Sequence, residues 1–153
     1  MWDLRDSPPD ITPRPSSHEH PSELTAIIPP DNYLEICCTQ LPWKFKVTHL
    51  DTGRFSFVTV GDVMKTLYKA LRVPISKEEF QSVCGANARH RDKVVAAYER
   101  RVARAKSPGD ERVKGICRID LLGTDSIFAG LAGAKSDTNP RIPTLILHVS
   151  SAA

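Results

Sequence analysis

The period of the apolar residues changes twice along this 153-residue chain, and that order restricts the fold more than any single motif does. Leu34, Ile36 and Cys38 alternate with Glu35 and Cys37, and Phe45 and Val47 stand between Lys44, Lys46 and Thr48, which is the pattern of two half-buried strands. The spacing then becomes helical. Val60, Val63, Met64, Leu67, Tyr68 and Leu71 recur at three- and four-residue steps until Pro74 forbids continuation, which predicts a helix over about 60–72. Thr59 with Asp62 three residues on, and Ser76 with Glu79, are capping-box pairs, and each marks a helix start. The second box opens a short helix that should bury Phe80 and Val83 before Gly85 interrupts it. A third helix is expected over roughly 89–106, with Val94, Val95, Tyr98, Val102 and Ala105 as its apolar stripe and Ser107-Pro108-Gly109-Asp110 as its end.

After the helices the two-residue pattern returns. Segments 116–121, 126–131 and 144–149 read as closing strands, the first two as a hairpin across Gly123-Thr124-Asp125. Asp120 is then expected to point outward from a strand between Ile119 and Leu121. Strands, then helices, then strands imply an α+β fold. The expected form is a mainly antiparallel sheet of about five to six strands, with two to three helices on one face inserted between the N- and C-terminal strands. Val94, Tyr98 and Val102 should be buried against that sheet, and Arg100 and Arg104 exposed.

Seven of the twelve prolines lie in the first thirty residues, so 6–32 is expected to be an extended arm. Trp2 and Leu4 alternate with Asp3 and Arg5, which suits a short strand pinning the start of that arm to the sheet. Residues 50–54 read as a turn. Segment 1–32 is thus part of the same domain as 33–150, with 151–153 a frayed tail. Hydrophobic residues at 41% and charged residues at 25% exclude a disordered chain. No apolar run approaches a membrane span, and Met1-Trp2-Asp3-Leu4-Arg5 leads into charge and proline rather than a signal peptide. A cytoplasmic or nuclear protein that does not engage a membrane is expected, with Cys37, Cys38, Cys84 and Cys117 kept as free thiols.

Several segments together resemble a fungal domain-of-unknown-function family, numbered 6699. They are Trp2-Asp3-Leu4-Arg5, Leu41-Pro42-Trp43, Val58-Thr59-Val60-Gly61-Asp62-Val63, Leu71 with Pro74, Ala96-Ala97-Tyr98, Arg118-Ile119-Asp120-Leu121-Leu122-Gly123 and Phe128-Ala129-Gly130-Leu131. The resemblance spans nearly the whole chain and implies an origin in mushroom-forming basidiomycetes. It brings no activity, cofactor or catalytic residue to carry over.

Charge is concentrated in one place. Residues 89–114 hold nine Lys or Arg against four Asp or Glu, a local +5 in a chain whose total is +3, so the remainder carries −2. At 100° per residue, Arg89, Lys93, Arg100 and Arg104 gather opposite Tyr98. With Arg101 and Lys106 they form a candidate binding surface for phosphate backbones or an acidic protein, set against the simpler reading of a solvated helix face. Trp43 joins the candidates as a binding anchor if it is exposed.

Chemistry is sparse. His18-Glu19-His20 has no third ligand nearby in sequence, and there is no Cys-x-x-Cys, nucleophile elbow, phosphate loop or dinucleotide fingerprint. No cofactor or metal is expected. Three readings stay open: a non-enzymatic interaction module for a protein partner or a second copy of the chain; a nucleic-acid binder through the basic helix; and a small-molecule enzyme using Cys84, Cys117, His49 or His148.

Overall fold

A computed structural model of the protein describes residues 1–9, 23–49, 56–135 and 139–151. The first two strands, β1 (Tyr33–Cys38) and β2 (Leu41–Thr48), form a hairpin with Ile36 opposite Phe45 and Leu34 opposite Val47. The helices α1 (Val60–Leu71), α2 (Lys77–Cys84), α3 (Ala88–Arg104) and α4 (Pro108–Lys114) follow. A 3-10 helix (Arg118–Leu122) then leads to β3 (Ile127–Ala134) and β4 (Thr144–Ser150), which close the sheet. The sheet order is β2-β1-β4-β3. β4 lies parallel to β1 and antiparallel to β3, so the sheet is mixed.

Both capping boxes form as the sequence predicts. The Asp62 amide donates to Thr59 Oγ1 at 3.2 Å and the Thr59 amide to Asp62 Oδ2 at 3.0 Å; Ser76 and Glu79 repeat the exchange at 3.1 and 2.8 Å. One face of the sheet is buried beneath the helices. Leu34, Ile36, Phe45, Val47 and Leu147 share a core with Val63, Leu67 and Leu71 of α1 and Val94 of α3. The other face presents Lys44, Lys46, Ala132 and His148 to solvent. No helix among the described residues is long and apolar enough to cross a membrane.

The α+β class stands, but its details change. The sheet has four strands rather than five or six, one pairing is parallel, and four helices replace two or three. The segment read as the first closing strand is the 3-10 helix, and the hairpin runs between β3 and β4 instead. Residues 119–122 are all buried rather than alternating, and the Cys117 amide donates to Asp120 Oδ2 at 2.8 Å, which caps a helical turn and rules out a strand. Asp120, expected outside, is 2% exposed. Gly123, at φ 61°, takes the backbone out of that turn where a side chain would be strained. α3 ends at Arg104, where Ala105 is already extended, two residues before the expected end, and Pro108 serves instead as the first residue of α4, where its missing N–H costs nothing.

On α3, Val94 and Val102 are buried and Tyr98 only partly, but the helix packs mainly on the 3-10 helix and α4 rather than on the sheet as expected; Val95 is 40% exposed and Ala97 is buried in its place. Phe80 and Val83 pack at the edge of the core, and Cys84 is the buried residue of α2. At the N-terminus, Trp2 and Leu4 are buried through a single antiparallel bridge between Asp3 and Ile127. The Leu4 amide donates to the Ser126 carbonyl at 2.8 Å and the Phe128 amide to the Trp2 carbonyl at 2.9 Å. Part of the expected arm, the turn at 50–54 and His18-Glu19-His20 lie outside the described residues.

Candidate functional site

The N-terminal segment, α1 and the helices α3 and α4 enclose a cleft of about 430 Å³. Arg5, Arg72, Arg101, Arg104, Lys106 and Lys114 line it, with Asp6 and Glu111 the acids among them and Ser7, Tyr68, Ala105 and Cys117 completing the wall. Six cations against two carboxylates leave a net +4.

Most of those cations are engaged. Arg101 lies seven residues beyond Val94, which returns it to nearly the same side of α3, so it points inward. Its guanidinium donates through Nε to Asp120 Oδ1 at 2.9 Å and through Nη2 to Asp120 Oδ2 at 2.8 Å and the Gly115 carbonyl at 2.7 Å. Nη1 donates to Glu111. Burial opposes the charge on Arg101, yet the bonds to Asp120 outweigh it and raise the pKa above the ordinary arginine value. A hydrogen bond from Lys114 acts against partial burial and, aided by Arg101, holds the Glu111 carboxyl below its usual range.

Arg72 caps α1 and ties the N-terminus to it. Its Nη1 donates to the carbonyls of Tyr68 at 3.0 Å and Leu4 at 3.3 Å, its Nη2 to the Arg5 carbonyl, and its guanidinium lies 3.5 Å from the centre of the Tyr68 ring. Desolvation lowers its pKa, partly offset by Tyr68, Glu111 and Asp6. Arg5 donates to both carboxylate oxygens of Asp3, at 2.9 Å from Nε and 2.5 Å from Nη2. Setting Asp3 and Asp120 against their arginines reduces the excess to about +2, and since carbonyls hold the Arg72 guanidinium, Arg104 and Lys106, both exposed at the end of α3, are the cations left open to a ligand.

The predicted surface is therefore divided. Arg101, Arg104 and Lys106 reach the cleft, whereas Arg89 and Lys93 line a separate hollow of about 250 Å³ with Asn87 and His90. Lys93 and Arg104 are eleven residues apart, roughly 16 Å along the helix. Arg100 is exposed between them. Trp43 sits on β2, half-buried against the core, with the Arg118 guanidinium 4.5 Å from the centre of its ring, and it does not line the cleft. Sequence reasoning missed Arg5, Arg72 and Lys114 because the cleft is assembled from the N-terminus, the end of α1 and α4, which no local pattern links.

Cys84 and Cys117 are 3% and 1% exposed, and burial pushes both thiols up, which is the state of packing residues rather than nucleophiles. His49 Nδ1 lies 2.9 Å from Asp62 Oδ2, which also accepts from the Thr59 hydroxyl at 2.9 Å. Burial works to raise the pKa of Asp62, but the bonds from Thr59 and His49 outweigh it and hold the carboxyl below its ordinary range. His148 is exposed on the open face of the sheet opposite Gly130. No group of three or more metal-ligating side chains occurs among the described residues.

No curated protein and no solved structure matches this chain. A family model does, over residues 1–143, and it covers the residues that build the cleft; the chain belongs to DUF6699, a family of unknown function.

Proposed function

We propose that this domain is a non-enzymatic, cytoplasmic or nuclear interaction module whose basic cleft receives an acidic segment of a partner protein. The observation that carries the reading is the contrast within the cleft: Arg5, Arg72 and Arg101 are spent on the fold, while Arg104 and Lys106 stand exposed beside them. A cleft built this way offers a positive wall held by hydrogen bonds with exposed donors at its rim, which suits carboxylate or phosphate groups on an extended peptide. Four free cysteines, three of them buried, fit a reducing compartment.

Two features favour a protein segment over nucleic acid. Tyr68 is the one aromatic residue that lines the cleft and one of its faces is taken by Arg72, so the cleft offers little stacking surface for bases. The cations of α3 also open onto two separate hollows rather than one continuous track.

Fluorescence polarisation tests the reading with a labelled oligoglutamate peptide, its phosphoserine counterpart and a single-stranded DNA of equal charge. Wild type is expected to prefer the peptides, with affinity falling as salt rises. Arg104→Glu/Lys106→Glu should weaken binding by roughly tenfold or more, and Arg89→Glu/Lys93→Glu by far less. Equal peptide binding by wild type and the cleft variant would sink the proposal. A preference for DNA would replace it with the nucleic-acid reading.

A further inference from the structure

The two edges of the sheet differ in kind. β2 exposes Pro42, Lys44 and Lys46, the residues that keep an edge strand from pairing with another chain. β3 reads Ile-Phe-Ala-Gly-Leu-Ala-Gly-Ala from Ile127 to Ala134, with no charge and no proline. Among the described residues its outer edge is covered only at its start, where Asp3 bridges Ile127.

The backbone groups on that edge follow from the register. The Phe128 amide points outward, since it donates to the Trp2 carbonyl, and Phe128 lies opposite Val149. The register shifts by one residue between Phe128 and Gly130, so the outward direction passes on β4's count from the partner of Val149 to those of Leu147 and Leu145: Leu131 and Gly133 point outward with Phe128. Their N–H and C=O groups face away from β4. Ala132, between them, turns its exposed side chain to the open face of the sheet.

We propose that this edge pairs with β3 of a second copy of the chain, antiparallel about a two-fold axis at Ala132. That axis sets Leu131 of each copy opposite Gly133 of the other, so the outward N–H and C=O groups of both residues find partners. A glycine opposite each leucine leaves room for its side chain, and no Cβ built on Gly133 meets an atom within 4 Å. A two-fold pairing of β3 brings no like charges together, whereas the same operation on β2 would oppose lysine to lysine. The result is one continuous sheet through both copies. Short unprotected edges that complement themselves are suited to this symmetric addition.

Analytical ultracentrifugation from micromolar to millimolar protein tests the pairing. Wild type should rise from 17.0 kDa towards about twice that mass. Ala132→Lys sets two like charges beside the axis and Gly133→Pro deletes an outward N–H, which an edge strand tolerates, so both variants should stay monomeric with unchanged circular dichroism. Ala132→Cys places two thiols across the axis at a Cα separation of about 4.5 Å and should cross-link on mild oxidation, while wild type and Ala129→Cys do not. A wild type that sediments as a monomer throughout overturns the proposal and leaves the edge to a strand from another protein. A dimer that survives both Ala132→Lys and Gly133→Pro overturns it as well.

Discussion

Replacing Asp120 by alanine probes the interaction on which the cleft depends. Asp120 is 2% exposed and the Arg101 side chain 11%, so the substitution removes a carboxylate from a guanidinium that water barely reaches. Breaking a buried pair by deleting one partner costs about 3–5 kcal/mol, because the remaining charge is left uncompensated. Loss of the bond from the Cys117 amide, which caps the 3-10 helix, adds about 1 kcal/mol. Glu111 still accepts from Arg101, which relieves part of the penalty and places the expected loss at about 3–4 kcal/mol. For a chain of this size that lowers the melting temperature by roughly 6–16 °C. Urea denaturation followed by tryptophan fluorescence is the assay, since Trp43 stacks with Arg118 at the start of the same 3-10 helix. Adding Arg101→Met removes the stranded charge and keeps most of the volume, so the double variant should be more stable than Asp120→Ala alone. A loss below about 1 kcal/mol, or a double variant no better than the single, would refute the claim that the pair holds α3 to the 3-10 helix.

Thr59→Ala and Ser76→Ala each delete a helix cap and should each cost about 1 kcal/mol by chemical denaturation, with Thr59→Ala the larger because its box is buried and Ser76's is exposed. Equal losses would show that burial adds nothing to the Thr59 cap. The pH dependence has a defined sign. Folding lowers the pKa of Asp62 from its ordinary 3.8, so its contribution is complete above that value and is lost as pH falls through the folded one. Asp62→Asn should therefore flatten the acid limb of stability below about pH 4 and cost most at neutral pH. A variant whose acid limb parallels that of wild type would assign the limb to other carboxylates.

The elements that local chemistry specifies were legible in the sequence. Thr59 with Asp62 and Ser76 with Glu79 act within one turn, so their spacing alone announces α1 and α2, and Pro74 bounds α1 without reference to anything distant. Segment 116–121 reads as a strand because Ile116, Arg118 and Asp120 alternate with Cys117, Ile119 and Leu121, yet it folds as a helical turn. The competing force is tertiary: Arg101, nineteen residues earlier, draws Asp120 inward, and the same carboxylate caps the turn. The parallel pairing of β4 with β1 and the single bridge of Asp3 with Ile127 join residues about a hundred or more apart, and no periodicity encodes them.

The basic segment marks a limit of charge counting. Nine cations between residues 89 and 114 look alike in sequence, yet Arg101 holds α3 to the 3-10 helix and Lys114 is paired with Glu111 within α4. Arg91 donates to the Gly85 carbonyl at the end of α2. A local +5 thus overstates what a ligand meets, because a cation committed to a buried carboxylate or carbonyl contributes field but no free donor. The distinction decides which substitutions report on binding. Loss of affinity in an Arg101 or Arg72 variant would be indistinguishable from loss of the α3 anchor or of the N-terminal clasp, whereas Arg104 and Lys106 can be reversed with the surrounding bonds intact. Binding that responds to those two residues while stability does not is the signature that separates a cleft that recognises a partner from one that merely fills the space between helices.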